Sequence, residues 1–170
     1  MAELTPLERL QPALLDRLCD DEPDKQTEPR DRRILNRAQL RQAVLRDLAW
    51  LFNATRPGKR DNLELYPHAD KSVLAFGLPP LAGETASSMD TMMLEARVRD
   101  AIVAFEPRID AETLEVKVML SDDWLNQHNL IGVQIRAKLW AQPVPLDLLL
   151  RTEVDLETGH VDIKDLSGPA

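Results

Sequence analysis

The segment Phe105-Glu106-Pro107-Arg108-Ile109 decides the fold of this 170-residue chain, because a helical pattern ends there and a strand pattern begins. Pro107 ends the helix, since its ring and missing N–H cannot continue the hydrogen-bond ladder. A carboxylate in the last helical turn, as predicted for Glu106, faces the negative end of the helix dipole and is normally disfavoured. Glu106 and Arg108 therefore form either a local salt-bridged helix stop or a charged contact for a partner.

The two longest helices predicted before this corner are amphipathic. The longer, central one runs from roughly Met89 to Phe105, with Ser87 or Ser88 as its N-cap. Its apolar stripe consists of Leu94, Val98, Ala101, Ile102 and Phe105. The other helix runs from about Arg37 to Phe52, and Asn36 with Gln39 matches the capping-box pattern. Its stripe consists of Leu40, Val44, Leu48, Leu51 and Phe52.

The N-terminal part of the chain has a different character. Residues 4–18 predict a leucine-rich helix that Pro12 divides or kinks. Residues 20–31 are charged, contain two prolines and predict a linker or mobile loop. We therefore expect an N-terminal helix and flexible linker over residues 1–34, followed by one α+β domain over residues 35–166. Within that domain residues 59–84 are irregular, and their apolar run before Gly77 predicts a loop or short edge segment across the core.

After the corner the apolar period changes to two, which predicts strands with one buried face. The predicted strands cover residues 114–120, 131–139, 146–154 and 161–163. Helices followed by strands indicate an α+β fold, with N-terminal helices and one long central helix packed on a small, mainly antiparallel C-terminal sheet. A sheet this small has edges, and an uncovered edge invites a strand from another chain.

Composition and motifs exclude several kinds of chemistry. The net charge is −8, and residues 85–170 hold 8 basic against 15 acidic residues, which argues against nucleic acid as a partner. Cys19 is the only cysteine, and no two histidines have metal-ligand spacing. Asp122-Asp123 could be a catalytic acid and base, but adjacent carboxylates more often form a solvated turn. We predict no enzyme activity, no cofactor and no metal. Without a membrane segment or signal peptide, a cytoplasmic location is expected.

Four stretches, in this order and spacing, resemble a known family. They are Leu45 to Arg56, Ser72 to Pro79, Arg97 to Ile109, and Val154-Asp155 through Thr158-Gly159. Together they resemble the TssE family of type VI secretion baseplate subunits, which is related to the phage-tail baseplate wedge protein often filed as lysozyme-like. The resemblance covers roughly residues 35–163.

The resemblance implies a structural role in a contractile injection system. Family members sit in the baseplate wedge with TssF and TssG, and they initiate the contractile sheath of TssB and TssC through a strand-exchange surface. TssK is a further candidate partner. The family's Glu-Pro-Arg motif corresponds to Glu106, Pro107 and Arg108, which are expected to hold the subunit to the wedge. The second triplet, Glu28-Pro29-Arg30, lacks a preceding apolar helix and is read as coincidence.

Two other functions remain open at this point. The lysozyme-like label implies a peptidoglycan hydrolase, although no placed acid and nucleophile can be recognised in the sequence. A chaperone-like binding module unconnected with secretion is the third possibility. If the first function is correct, replacing Glu106 or Arg108 with alanine is expected to weaken wedge binding and leave the fold intact.

Overall fold

The computed structural model describes residues 12–18, 24, 35–57, 65–70, 72–80, 90–119, 130–141 and 145–167. Its helices are α1 (Leu14–Leu18), α2 (Arg37–Asn53), α3 (Pro67–Asp70) and α4 (Thr91–Phe105), with a 3-10 turn at Val73–Ala75 between α3 and α4. The strands are β1 (Glu115–Met119), β2 (Leu130–Leu139), β3 (Leu146–Asp155) and β4 (Val161–Asp165). This order confirms the predicted α+β class.

The four strands form an antiparallel meander in the order β1-β2-β3-β4. Alternate residues of β2 and β3 are buried, as their period of two predicts. Thr152 is a polar member of this buried set, and its hydroxyl donates a hydrogen bond of 3.2 Å to the carbonyl of Val133. That bond satisfies a hydroxyl that would otherwise be costly to bury.

Helix α2 begins and packs as its sequence predicts. The Asn36 side chain accepts from the Gln39 N–H at 2.8 Å, and the Gln39 side chain accepts from the Asn36 N–H at 2.9 Å. This reciprocal pair is the predicted capping box. The apolar stripe is buried in the core, and the helix ends at Asn53, one residue beyond the predicted end.

Helix α4 begins later than predicted. Its first residue is Thr91 and its N-cap is Asp90, whose carboxylate accepts from the Met93 N–H at 3.2 Å. The prediction of Ser87 or Ser88 as cap was therefore wrong, because an aspartate caps as well as a serine and Asp90 directly precedes the helix. The predicted stripe is correct, since Leu94, Val98, Ala101 and Ile102 are all buried.

The segment from Ser72 to Pro80 crosses the end of α2, as expected for a short edge segment. Leu78 and Thr55 form an isolated parallel bridge, and Ala75 and Leu78 are buried. The Phe76 ring meets the Phe105 ring edge-to-face at 5.2 Å, which connects this segment to the end of α4. Residues 4–11 of the predicted first helix and most of the predicted linker lie outside the described residues.

Gly77 provides a test of this arrangement. Its φ is 120°, and an added Cβ would lie 2.3 Å from the carbonyl oxygen of Ala54. We expect Gly77→Ala to lower the free energy of unfolding by at least about 1–3 kcal/mol, since it combines backbone strain with a backbone clash. Urea denaturation measures this loss.

The matched control for Gly77→Ala is Gly159→Asn at the other described glycine with positive φ. Gly159 has a φ of 73°, a left-handed conformation that asparagine adopts more readily than most residues. We expect a much smaller change in the free energy of unfolding. Equal losses for the two variants would contradict the explanation based on the clash at residue 77.

Candidate functional site

The corner after α4 is held by hydrogen bonds on both sides. Glu106 is the C-cap of α4, and its N–H donates to the Ile102 carbonyl at 2.8 Å. The Ile109 N–H donates a hydrogen bond of 3.1 Å to the Glu106 carbonyl, which closes a turn over Pro107 and Arg108. The Arg108 carbonyl then accepts from the Trp140 N–H at 2.7 Å, at the end of β2. The corner backbone is therefore fixed to both the helix and the sheet.

Glu106 and Arg108 face each other within this corner. The Glu106 side chain is only 3% exposed. Its Oε1 accepts from the backbone N–H of Arg108 at 3.1 Å and from Nε at 2.6 Å, while Oε2 accepts from Nη2 at 2.5 Å. This is a bidentate guanidinium–carboxylate pair, the stronger kind of charged hydrogen bond. The structure therefore contains the salt-bridged helix stop that the sequence left as one of two alternatives.

The charged contacts continue from the corner to α2. Arg108 Nη2 donates to Asp47 Oδ2 at 2.5 Å, and Asp47 Oδ1 accepts from Arg46 Nε at 2.9 Å and Nη2 at 2.8 Å. Arg46 Nη1 in turn donates to Asp16 Oδ1 in α1. We call this chain the corner network; its members are Asp16, Arg46, Asp47, Glu106 and Arg108. Acids and bases alternate along it, so it links α1, α2 and the end of α4.

The surroundings favour the charged forms of Arg108, Arg46 and Asp16. Burial alone would lower the pKa of Arg108, but the hydrogen bonds to Glu106 and Asp47 outweigh it and raise that pKa. The hydrogen bond to Asp16 is the main cause that raises the pKa of Arg46, and the same bond lowers the pKa of Asp16. With three carboxylates and two guanidinium groups, the network has one negative charge in excess.

The outer surface of the corner is partly apolar. Pro107 is exposed at the tip of the turn, and 23% of the Arg108 side chain is exposed. Trp140 follows β2 beside the corner and is half exposed, as is Trp50 on α2. Of the three predicted partner-binding residues, the structure therefore leaves Pro107 and part of Arg108 accessible and buries Glu106. Because Glu106 is buried in an ion pair, its replacement by alanine is now expected to cost fold stability as well.

Sequence reasoning missed the roles of Arg46 and Asp47. Both are charged residues beside the apolar stripe of α2, and both are only partly exposed. A charged pair at the border of an apolar stripe is a signal for a buried ion-pair partner, but it does not identify that partner. Asp47 is 61 residues away from Arg108 in the chain.

Other kinds of site are not indicated within the described residues. There, no group of three or more His, Cys, Asp or Glu residues could hold a metal ion. A cavity of about 230 Å³ lies at the end of α2, lined by residues that include Asn53, Thr55, Leu78 and His160. It is smaller than the usual pocket for a drug-sized ligand. Asp122-Asp123 and Cys19 lie outside the described residues. No helix in the described ranges is long and apolar enough to cross a membrane.

Comparison with known families identifies the class to which this domain belongs. The family model described as Baseplate wedge protein gp25 matches residues 38–144, more than half of the chain. The chain therefore belongs to the baseplate wedge protein gp25 family, which is the family of TssE. This finding confirms the resemblance recognised from the sequence. No curated protein and no solved structure matches the chain.

Family membership defines a structural role. The chain is a structural component of a baseplate of the phage-tail or type VI secretion kind, and it contacts other baseplate components. Proteins of this family are generally not enzymes. The matched residues contain α2 except for its first residue, and all of α4, the corner, β1 and β2, so four members of the corner network lie within the match. Asp16 lies outside it.

The buried ion pair makes a prediction about stability. We expect Glu106→Gln to lower the free energy of unfolding by about 3 kcal/mol, because removing one charge leaves the partly buried Arg108 with a weaker partner. Chemical denaturation measures this loss.

Glu153→Gln is the control for Glu106→Gln. Glu153 pairs with Lys164 at 2.9 Å on the exposed side of the sheet, where the loss of one charge costs about 0–1 kcal/mol. If both variants lose equally little stability, Glu106 does not stabilise the corner.

Proposed function

We propose that the chain is a non-enzymatic subunit of the type VI secretion baseplate wedge, which binds TssF and TssG and initiates the contractile sheath of TssB and TssC. TssK is a further proposed contact, and the proposed location is the cytoplasm. Membership in the baseplate wedge family supports the role in a wedge. In this proposal residues 35–166 are the wedge domain, and residues 1–34 are an appended N-terminal helix and linker.

The observation that carries the proposal is the rigid corner, with Glu106, Pro107 and Arg108 as the partner-binding residues. Glu106 acts indirectly, because it is buried and holds the Arg108 guanidinium in one orientation through two hydrogen bonds. Pro107 forms the exposed tip, and its ring restricts the backbone before any partner arrives. A surface that is ordered in advance loses less entropy on binding. The exposed rim of Arg108 then supplies the charged contact.

Wedge binding can be tested without breaking the ion pair. Pro107→Glu changes only the exposed tip, so we expect the fold to survive and the affinity for TssF and TssG to fall by roughly tenfold or more. The reason is that a charge at the centre of an interface remains desolvated and unpaired. Quantitative co-purification with tagged wedge subunits measures the affinity, and a thermal melt checks the fold.

Pro145→Glu provides the matched control, because Pro145 is an exposed proline before β3. It introduces the same change of residue away from the corner and is expected to bind as the unmodified chain does. Unchanged binding by Pro107→Glu, or equal weakening by both variants, would refute the corner as the wedge contact.

Sheath initiation requires a sheet edge that can accept another strand, and the two edges of the sheet differ. In antiparallel pairing, alternate residues of an edge strand direct their backbone N–H and C=O groups away from the sheet. At the β1 edge, α4 occupies one outward group within the strand and one just before it. Val118 N–H donates to the Glu95 side chain at 2.8 Å, and the Leu114 carbonyl accepts from Arg99. Val116 lies between these two occupied positions.

Among the residues that the structure describes, the β4 edge is contacted at one end, by Asn53. The Asn53 side chain donates to the Val161 carbonyl at 2.9 Å and accepts from the Val161 N–H at 3.0 Å, as a neighbouring strand would. The backbone N–H and C=O groups of Ile163 and Asp165 also point away from the sheet. This follows because Asp162 and Lys164 occupy the hydrogen-bonded positions opposite β3. We therefore propose the β4 edge beyond Val161 as the sheath-initiating edge.

A proline scan of the outward-facing positions tests this choice. Ile163→Pro removes an outward N–H and no bond of the β3–β4 ladder, because proline is tolerated where the N–H of an edge strand faces outward. We expect recruitment of TssB and TssC to fall by roughly tenfold while wedge binding is retained. Val116→Pro is the matched control on β1. Like Ile163→Pro, it replaces a half-buried β-branched residue and removes an outward N–H. It should leave recruitment of TssB and TssC unchanged. If recruitment of TssB and TssC falls with Val116→Pro and not with Ile163→Pro, the β1 edge is the sheath-initiating edge instead.

A further inference from the structure

Helix α1 has no role in the function proposed above, and its contact with the domain is unusual. The helix buries none of its residues, and Leu14 and Leu18 are 71% and 73% exposed. At 3.6 residues per turn, Asp16 lies on the side of the helix opposite these two leucines. Asp16 faces Arg46 of α2. Helix α1 therefore contacts α2 through Asp16 and turns Leu14 and Leu18 away.

The fit of Asp16 to Arg46 is incomplete. Oδ1 accepts from Arg46 Nη1, whereas Oδ2 is buried and has no hydrogen bond of normal geometry to any described residue. The nearby Ala13 backbone N–H also favours the carboxylate form of Asp16. A buried acceptor without a good donor weakens a contact. A carboxylate that engaged a guanidinium with both oxygens would bind more strongly.

Arg46 is well placed to receive such a carboxylate. Asp47 occupies Nε and Nη2 of Arg46, which leaves the Nη1 end directed towards α1. The guanidinium carbon of Arg46 lies 4.9 Å from the centre of the Trp50 ring, so the ring steadies the side chain from one side. Half of Trp50 is exposed and forms an apolar platform beside the charge. We call Arg46 and Trp50 together the Arg46–Trp50 surface.

We propose that the Arg46–Trp50 surface is a docking site for a carboxylate-bearing helix of a baseplate partner, and that α1 occupies it in the free subunit. The inference rests on the proposed function for the existence of such a partner. Helix α1 shows which ligand fits, because it is a short helix that presents an aspartate to Arg46. The charge complementarity is direct, and Asp47 connects the surface to Arg108 at the corner.

The partner carboxylate takes the place of Asp16, and α1 leaves the surface. The exchange is favoured because the described contact of α1 is one partly exposed ion pair, and no residue of the helix is fully buried. Such pairs contribute little stability and are readily replaced. A partner helix gains in addition the exposed half of Trp50, since aromatic and arginine side chains are the usual anchors of interfaces.

Asp16→Asn in the full chain tests the inference. We expect its affinity for the TssF–TssG wedge, measured by biolayer interferometry at fixed ionic strength, to increase by about two- to tenfold, because the competing contact of α1 is weakened. Arg46→Met is expected to reduce the affinity by roughly tenfold or more, and Asp16→Asn should have no further effect in that background. In hydrogen exchange, residues 14–18 of the unmodified chain should exchange faster when the wedge is bound.

Asp24→Asn is the matched control, since Asp24 is an exposed aspartate of the same N-terminal part and the change of charge is the same. It should leave the affinity unchanged. Weaker or unchanged wedge binding by Asp16→Asn, or slower exchange at residues 14–18 on binding, would overturn this inference alone. Failure of the unmodified chain to bind TssF and TssG would refute the proposed function as well.

Discussion

The rest of the structure depends on the buried ion pair between Glu106 and Arg108. A carboxylate at the end of α4 meets the negative end of the helix dipole, and its burial removes the compensation that water would supply. Arg108 offsets both costs with its side chain and its backbone N–H. Because most of the Arg108 side chain is itself covered, a second carboxylate offsets the cost of its burial, and Asp47 of α2 provides it. The pair thereby connects the end of α4 to α2, in addition to the apolar core that the two helices share.

This connection matters because the two helices lie near opposite edges of one sheet. Helix α4 contacts β1, and α2 contacts β4. The carbonyl of Arg108 is bonded to the end of β2. One short turn thus joins both helices to the sheet. Asp47, Glu106 and Arg108 all lie within the residues that match the baseplate wedge family, so this junction belongs to the family domain, while the contact from α1 is an addition to it.

Local patterns in the sequence predict the elements well but not the partners across the chain. The period of α2, its capping box and the alternation in β2 and β3 are properties of neighbouring residues, and each was predicted correctly. The N-cap of α4 was misplaced because Ser88 and Asp90 are equally good caps two residues apart. At the corner, the residue pattern left a helix stop and a partner contact as two alternatives. The structure contains the salt-bridged stop. Its extension to Asp47 is not visible in any local pattern, because only the tertiary fold brings Asp47 to Arg108.

The two hydrogen bonds between the Asn53 side chain and the Val161 backbone have a consequence for how the chain folds during synthesis. The two residues are 108 positions apart, so α2 emerges from the ribosome long before the strand that its last residue holds. At roughly 5–20 residues per second, that interval is on the order of 5–20 s. Throughout it the leucine-rich face of α2 lacks the sheet that later buries it. Such non-local topology slows folding and leaves apolar surface open to aggregation. We therefore expect the nascent subunit to be most prone to aggregation before β4 has been made.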